Sequence, residues 1–255
     1  MSSEETRPRT VAETLREVPM FSQLRDDDLT QIATLLHRRR VRKGEVVLLH
    51  GDRIAALYLV AEGRVKLVAS GEDGKEVILA IRGAGDFFGE SSLFEEHAHD
   101  TTVIALENTE LLLLRREDLH RCLRDIPDIA IGLLRTLVHR LREADARIGV
   151  LTLLDASQRV AHVLLELADE HDGARILRPP THQFLAELIG VTRETVSRVM
   201  SQLAEEGLIM TVREKTMLPD RRRVATGRSP STVEVSQRAL QIRDRRRLEV
   251  AAGRS

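Results

Sequence analysis

Apolar residues in the first half of the chain recur in short runs that alternate with turn sequences. Residues 39–114 carry the runs VVLLH, ALYLVAEG, VKLVAS, EVILAI, TTVIAL and TELLLL, separated by KGE, HGD, EGR, SGEDGK and GAGD. Short β-rich runs punctuated by glycine turns are typical of antiparallel strands. The pattern therefore predicts an antiparallel roll or barrel, with a hairpin turn at residues 70–74.

Helical periodicity flanks this region on both sides. Residues 1–17 are charged throughout and are predicted to form a flexible N-terminal arm. The acidic cluster at residues 26–28 then begins a predicted short amphipathic helix. Its apolar positions are Phe21, Leu24, Leu29, Ile32, Ala33 and Leu36.

After Arg116 the period becomes helical, and one set of apolar positions alternates spacings of three and four residues. The set is Leu134, Leu137, Leu141, Ala144, Ile148 and Leu151. Such a heptad seam is typical of two-stranded coiled coils, and charged residues flank it on both sides. We expect it to join two subunits in a homodimer. The alternative is a long helix that packs on its own domain.

Residues 181–210 carry the pattern of a helix-turn-helix. Ala186 is small where two helices must touch, and Gly190 follows four residues later where the chain must turn. The predicted buried face comprises Leu185, Ile189, Val191, Val196 and Val199. The second helix, predicted over residues 192–205, exposes residue types that can reach phosphates and base edges in a major groove. These are Thr192, Arg193, Glu194, Ser197 and Arg198. A plain helical hairpin with a charged face is the alternative.

Two further segments flank this motif. Before the motif, Asp155 is predicted to cap the start of the helix that follows it. Beyond it, the runs at 208–210 and 216–218 predict a short β-wing that Pro219 ends. Residues 220–255 are rich in arginine and poor in apolar residues, so we expect a disordered basic tail that attracts phosphates non-specifically.

Composition narrows the possible functions. The 255 residues are enough for two domains, and 39 basic residues balance 40 acidic ones, so nucleic-acid binding must depend on local charge. Aromatic residues make up only 2% and tryptophan is absent, which favours duplex DNA over stacked single strands. A single cysteine, Cys122, excludes an intrachain disulfide and fits a reducing cytoplasm. No apolar run approaches the roughly 18 residues of a membrane span, so no membrane partner is expected.

The order of these elements, together with several local strings, resembles the cyclic-AMP receptor protein/FNR (CRP/FNR) superfamily of bacterial transcription regulators over residues 18–218. The strings are MFSQL at 20–24, KGE at 43–45, GD at 51–52, YLVAEGRVKL at 58–67, GDFFGESSLF at 85–94, LLD at 153–155 and TRETVSR at 192–198. The resemblance implies an α+β fold with an antiparallel, jelly-roll β-roll of the cyclic-nucleotide-binding type. The expected divisions are an arm at 1–17, the sensor roll at 18–126, a dimerisation helix and hinge at 127–154, a winged helix-turn-helix at 155–219 and a tail at 220–255.

The resemblance also implies a DNA site. Arg193, Glu194 and Arg198 stand where the cyclic-AMP receptor subgroup contacts a TGTGA-like half-site. Arginine would pair with guanine and glutamate with cytosine, while Thr181 and Thr192 would hold phosphates. The expected partners are double-stranded DNA, a second copy of the chain and RNA polymerase. No cofactor and no catalytic residue is expected.

The sensor pocket departs from the family pattern. Gly89, Glu90 and Ser91 are retained, but Asp100 and Thr101 stand where cyclic-nucleotide binders carry an arginine followed by serine or threonine. The hydroxyl pair that such proteins offer to adenine falls on Ala144 and Asp145. A carboxylate in a partly buried anion site would repel a cyclic phosphate. We therefore expect regulation without cyclic AMP, with a regulator that depends on a cyclic nucleotide or another small ligand as the alternative.

A cupin-like metalloprotein is a remoter alternative. His97 and His99 lie near Glu95, Glu96 and Asp100, and these residue types can bind a metal. A cupin needs a further histidine on a later strand, whereas the next histidine here is His120, beyond the roll. We therefore expect neither a metal site nor catalysis.

Overall fold

The computed structural model describes residues 10–53, 55–71, 74–94, 98–170, 173–219 and 232–253. The chain divides into two compact units, Met1–Ala146 and Arg147–Ser255. Within the described ranges, no helix is both long and apolar enough to cross a membrane.

The first unit contains two four-stranded antiparallel sheets, which confirms the predicted β-roll. One sheet has the order β1-β8-β3-β6 and the other β2-β7-β4-β5. The strands are β1 (His37–Val41), β2 (Val46–Leu48), β3 (Ala56–Glu62), β4 (Arg64–Ser70), β5 (Glu76–Gly83), β6 (Phe87–Phe88), β7 (Thr102–Ala105) and β8 (Thr109–Arg115). β4 and β5 pair antiparallel on either side of the predicted hairpin turn, of which residues 72 and 73 lie outside the described ranges.

Alternation along β3 divides the apolar side chains of the first unit between two cores. Tyr58 and Val60 face the interior of the roll, where the Tyr58 ring stacks on Phe88 with their centroids 5.0 Å apart. Leu57 and Leu59 face the opposite side and pack in the cluster that the helices cover. The sheet therefore has helices on one face and the second sheet on the other.

Five helices among the described residues belong to or begin in the first unit. They are α1 (Val11–Glu17), α2 (Asp26–Leu35), α3 (Ser91–Phe94), α4 (Arg116–Asp125) and α5 (Pro127–Leu153). The prediction of a flexible arm over residues 1–17 is wrong from Thr10 onward. Thr10 and Glu13 form a capping box at the start of α1, and Leu15 is completely buried. Residues 1–9 lie outside the described ranges.

Two small residues of this helical layer have structural consequences. Gly132 of α5 lies against the backbone of Met20, so an added Cβ would come within 2.6 Å of the Met20 carbonyl oxygen. Cys122 of α4 is buried, and burial is the main cause that raises the pKa of its thiol. The thiol is therefore protonated and shielded at neutral pH.

The second unit combines helices with a three-stranded sheet. Its elements are α6 (Ala156–Asp169), β9 (Arg175–Leu177), α7 (His182–Ile189), α8 (Arg193–Glu205), β10 (Ile209–Pro219), β11 (Thr232–Ile242) and α9 (Arg245–Ala251). The sheet order is β10-β11-β9, and both pairings are antiparallel. As predicted, Asp155 caps α6, and it forms a reciprocal capping box with Gln158.

The structure corrects the prediction for the C-terminal segment. The runs at 208–210 and 216–218 do not form a hairpin of their own, because both fall on or next to the single strand β10, whose partner is β11. Residues 232–253 are therefore not a disordered tail. Leu240 and Ile242 of β11 and Leu248 of α9 are buried in the core of the unit. Their burial is not predictable from the sequence pattern, because several arginines stand between them. Residues 220–231 lie outside the described ranges.

Candidate functional site

The helix-turn-helix of the second unit is formed by α7 and α8, as predicted. Thr181 caps α7, with its hydroxyl oxygen accepting a hydrogen bond from the Phe184 N–H at 3.1 Å. Gly190 ends α7 in the left-handed conformation with φ of 69°, which a residue with a Cβ rarely adopts. The predicted contact face is confirmed, because Leu185, Ala186, Ile189, Val196 and Val199 are buried and Val191 packs on them.

Two arginines that the sequence did not single out satisfy the C-terminal carbonyls of α7. The Arg147 guanidinium donates to the Leu188 carbonyl oxygen at 2.7 Å, and that of Arg159 donates to Ile189 at 2.8 Å. These carbonyls have no partner within the helix itself. Burial lowers the pKa of Arg147. Both side chains hold the end of α7 in place beside the turn.

The first two turns of α8 carry the predicted base-contacting residues. Thr192 caps the helix by accepting from the Thr195 N–H at 3.2 Å. Arg193, Glu194 and Arg198 are exposed. Glu194 and Arg198 are four residues apart and lie on one face of α8, whereas Arg193, in the first turn, lies about 100–140° around the helix axis from them. A threonine hydroxyl that accepts one hydrogen bond can still donate its own proton, so Thr181 keeps a donor for a phosphate oxygen. The Thr192 hydroxyl also lies 3.0 Å from the Thr195 hydroxyl, and it can donate to a phosphate when Thr195 is the donor of that pair.

Ser197 differs from the other predicted contacts because its side chain is only partly exposed. Its hydroxyl lies 2.8 Å from Nδ1 of His182, at the start of α7. This hydrogen bond joins the two helices of the motif. His182 is not identifiable from the sequence, because a single histidine next to a helix cap has no distinctive spacing.

The predicted dimer seam is only partly exposed along α5. Leu134, Leu141 and Ile148 have 58%, 62% and 59% of their surface exposed, and Ala144 and Leu151 are also exposed. Leu137 does not belong to this stripe, since it packs on the core of its own unit. Val138, which is exposed, takes its place. The exposed apolar stripe of α5 is therefore Leu134, Val138, Leu141, Ala144, Ile148 and Leu151, with the exposed Asp145 next to Ala144.

In the first unit, Glu90 forms an ion pair with α5. One Glu90 oxygen accepts from the Arg140 guanidinium at 3.0 Å, and the same guanidinium donates to the Phe87 carbonyl and lies 4.1 Å from the centre of the Phe87 ring. Burial lowers the pKa of Arg140, an effect that the charge of Glu90 opposes. The second oxygen of Glu90 is buried and has no hydrogen-bond partner among the described residues.

The remaining predicted residues of the sensor pocket differ in their exposure. Gly89 is buried at the end of β6 and Ser91 is exposed. Asp100 is also exposed, so the expectation that it occupies a partly buried position is wrong. Nδ1 of the buried His99 ring donates to the Thr101 carbonyl oxygen at 2.6 Å. Ala144 and Asp145 are both exposed on α5.

Only some of the metal ligands of the cupin-like alternative lie within the described ranges. Glu95, Glu96 and His97 lie outside the described ranges. His99 is 4% exposed and is hydrogen-bonded within its own loop. Among the described residues, no group of three or more histidine, cysteine, aspartate or glutamate side chains could hold a metal ion.

A separate groove of about 850 Å³ lies in the first unit, between residues 19–23, the end of β5 and α5. Its ionisable lining residues are Arg82, Arg135, His139 and Arg140 together with Asp86, Asp128 and Glu143. The mixture of arginines and carboxylates favours neither an anion nor a cation. None of the predicted pocket residues lines this groove.

Comparison with known proteins matches both units to families. Residues 38–125 match the cyclic nucleotide-binding domain, and residues 158–226 match the Crp-like helix-turn-helix domain. The chain is similar to the cyclic AMP receptor protein of Thermus thermophilus, with 38% identity over 222 residues that cover 87% of this chain and 94% of the relative.

One further relative and one solved structure agree with these matches. The CRP-like cAMP-activated global transcriptional regulator of Mycobacterium tuberculosis is 30% identical over 188 residues, which cover 72% of this chain and 84% of the relative. Among solved structures, a transcriptional regulator of the CRP/FNR family from Thermus thermophilus is 28% identical with a TM-score of 0.61. The match covers 85% of this chain and 98% of that structure.

Proposed function

The chain belongs to the CRP/FNR family of DNA-binding transcription regulators, which are not enzymes, and we propose that it acts as a homodimer on a palindromic TGTGA-like DNA site without cyclic AMP as effector. In this proposal the roll is the sensor, α5 joins the subunits, and the helix-turn-helix contacts DNA. RNA polymerase is the proposed further partner.

The observation that supports the DNA site best is the exposure of Arg193, Glu194 and Arg198 on the first two turns of α8. Arginine presents a planar fork to guanine O6 and N7, and glutamate accepts from cytosine N4. Thr181 and Thr192 at the two helix caps would donate to phosphates. Ser197 would contribute through its hydrogen bond to His182 more than through a base contact.

The exposed apolar stripe of α5 supports the homodimer. Each leucine or isoleucine of the stripe would contribute about 1.5–3 kcal/mol if fully buried against a partner helix. A two-fold symmetric dimer would present two copies of α8 to half-sites about 34 Å apart, one turn of DNA. The proposed DNA site is therefore a palindrome.

The composition of the sensor pocket supports independence from cyclic AMP. Asp100 adds a negative charge at the position where cyclic-nucleotide binders carry an arginine, and neither Ala144 nor Asp145 has a hydroxyl to offer adenine. A ligand shifts a protein between two states only by its differential affinity for them, and this pocket offers little. Another cue, such as a different ligand or a partner protein, would then control the roll.

One observation favours a second candidate, a regulator that responds to a cyclic nucleotide or another small ligand. The buried oxygen of Glu90, which has no partner among the described residues, would suit a hydroxyl donor on a ligand. The Mycobacterium tuberculosis relative is a cAMP-activated regulator. Such a ligand would need a cation other than residue 100 for its phosphate.

Selection of binding sites from random duplex DNA tests the proposal. We expect a palindrome, and we expect Glu194→Ala to relax the preference at one base pair of each half-site by about 1–3 kcal/mol. Glu205→Ala, at the exposed far end of the same helix, is the matched control and should leave the selected site unchanged. Selection of no palindrome, or an identical site for Glu194→Ala, would contradict the proposed DNA contacts.

A further inference from the structure

The groove between residues 19–23, the end of β5 and α5 contains an arginine at an inward-facing position. Arg82 of β5 lies directly opposite the completely buried Val65 of β4, so the two side chains share the inner face of their sheet. The Arg82 Nε–H is buried, and the guanidinium has neither a hydrogen bond nor an ion pair with any residue that the structure describes. Buried polar groups of native proteins nearly always have a partner, so this unpaired donor points to a function.

A carboxylate lies next to Arg82 without neutralising it. Asp86 lines the same groove, and its Oδ2 accepts a hydrogen bond at 3.1 Å from the N–H of Gly83, the residue after Arg82. The ion pair of Asp86 is instead a long one, 3.8 Å to Arg140, whose guanidinium is held more closely by Glu90 at 3.0 Å. A cationic group and an anionic group therefore adjoin in one groove, and both remain available to a ligand.

The lining of the groove suits a small molecule that carries both charges. Three arginines balance three carboxylates, so an anion or a cation alone would meet repulsion from the residues of its own sign. The volume of about 850 Å³ is typical of metabolite sites. Apolar lining residues are also present, namely Pro19, Met20, Ile81 and Ile131. A zwitterion with an apolar side chain matches all three properties.

We propose that this groove binds an α-amino acid with an apolar side chain. Its carboxylate would accept hydrogen bonds from the Arg82 guanidinium, and its ammonium group would donate to Asp86. The site differs from the pocket that the family resemblance implies, and residues 81, 82 and 86 are its only lining residues within the segment matched to the cyclic nucleotide-binding domain. Binding does not depend on the proposed DNA function; only a role as the cue that replaces cyclic AMP rests on it.

Calorimetry on the full chain with L-leucine, L-methionine and L-phenylalanine tests the site. We expect at least one of them to bind, and its deaminated and decarboxylated analogues to bind about 10- to 100-fold more weakly, because each lacks one charged hydrogen-bonding group. No binding of any of the three at about 10 mM would overturn the proposal. A deaminated analogue that binds as tightly as the amino acid would also overturn it, since the site would then take a plain carboxylate.

Two variants identify the residues that bind. Arg82→Met keeps the length of the side chain and removes the charge, and Asp86→Asn keeps an acceptor for the Gly83 N–H. Each should weaken amino-acid binding about 10- to 100-fold. Without ligand, Arg82→Met should melt at or above the temperature of the wild type, because it removes a buried donor that has no partner among the described residues.

The matched control is Arg124→Met, at an exposed position of α4 outside the groove, which should change neither the melting temperature nor the binding. A lower melting temperature of Arg82→Met with unchanged amino-acid affinity would assign Arg82 a structural role and overturn the site.

The outcomes also separate the site from the proposed DNA function. Amino-acid binding without selection of a palindrome would reject the DNA function and leave the site intact, whereas a normal palindrome without amino-acid binding would reject the site alone. Where both hold, a saturating amino acid should change the affinity of the wild type for the palindrome but not that of Arg82→Met. An unchanged affinity of the wild type would reject the role of the amino acid as the cue.

Discussion

Arg140 connects α5 to the roll through groups that lose their partners if it is removed. Its side chain is only 11% exposed, and it supplies hydrogen bonds to Glu90 and to the Phe87 carbonyl. We expect Arg140→Ala to lower the free energy of unfolding of the first unit by about 3–5 kcal/mol, because it leaves a carboxylate without its cation. Denaturant unfolding measures this loss.

The control for Arg140→Ala is Arg135→Ala, about one and a half turns earlier on the same helix and exposed. It should change the free energy of unfolding by less than about 0.5 kcal/mol. Glu90→Ala combined with Arg140→Ala should cost less than the sum of the two single changes, since the second change removes a charge that is already unpaired. Additive losses would show that the pair does not contribute.

The spacing of residues in the sequence predicts the exposed residues of α8 but not the arginines that hold the end of α7 in place. The exposure of Arg193, Glu194 and Arg198 is predicted by the helical spacing of the buried residues in the same helix. Arg147 and Arg159 bond to carbonyls 41 and 30 residues away, and backbone carbonyls carry no residue-specific signal. The exposure of Asp100 depends on a loop whose path no local pattern determines.

At the level of elements, strongly periodic segments were predictable and segments with mixed signals were not. The strands of the roll, α2, α5, α7 and α8 have clear alternation or helical spacing. Thr10 and Glu13, which form the capping box of α1, have the spacing of that motif in the sequence, but the many charged residues around them are also typical of a disordered segment. For β11, the buried residues are separated by arginines and glutamine, and their burial depends on pairing with β9, which lies far earlier in the chain.

Helix α9 provides a test of the corrected C-terminal segment. Leu248 is completely buried, whereas Val250 in the same helix is 70% exposed. We expect Leu248→Ala to lower the free energy of unfolding of the second unit by about 2–5 kcal/mol, through lost burial and the cavity that it leaves. Val250→Ala is the control and should change it by less than about 0.5 kcal/mol. Equal, small effects would mean that α9 does not pack.

The exposed apolar stripe of α5 provides a second test at this scale. Replacing Leu141 and Ile148 by lysine should give monomers in sedimentation at micromolar concentration and should abolish binding to the palindrome, because charges would repel across the seam. Arg142→Ala, exposed beside the stripe, should remain dimeric. A wild-type protein that sediments as a monomer would refute the proposed dimer.

Asp145 lies next to Ala144 at the edge of the same stripe and is expected to weaken the dimer. Charged residues beside the apolar core positions of a coiled coil affect the pairing of its helices by attraction or repulsion. In a dimer formed through this stripe, the two copies of Asp145 would lie near each other and repel. The dissociation constant of the dimer therefore depends on a balance between apolar burial and this charge.

At the scale of the whole molecule, the prediction concerns the effector, that is, the ligand or partner to which the protein responds. A ligand that binds only the native state stabilises it by about 4 kcal/mol at a thousandfold excess over its dissociation constant. We expect millimolar cyclic AMP to leave the melting temperature and the affinity for the palindrome unchanged, with 5′-AMP as the control. A rise in melting temperature with cyclic AMP alone, together with tighter DNA binding, would instead support the ligand-dependent candidate.

The burial of Cys122 has a practical consequence for labelling. It is the only cysteine of the chain, and its raised pKa and shielded position keep it from reacting with maleimides in the folded protein. A cysteine introduced on the surface, for example by Arg246→Cys, would then react alone. A fluorophore or spin label can therefore be attached at one chosen position without replacing any native cysteine.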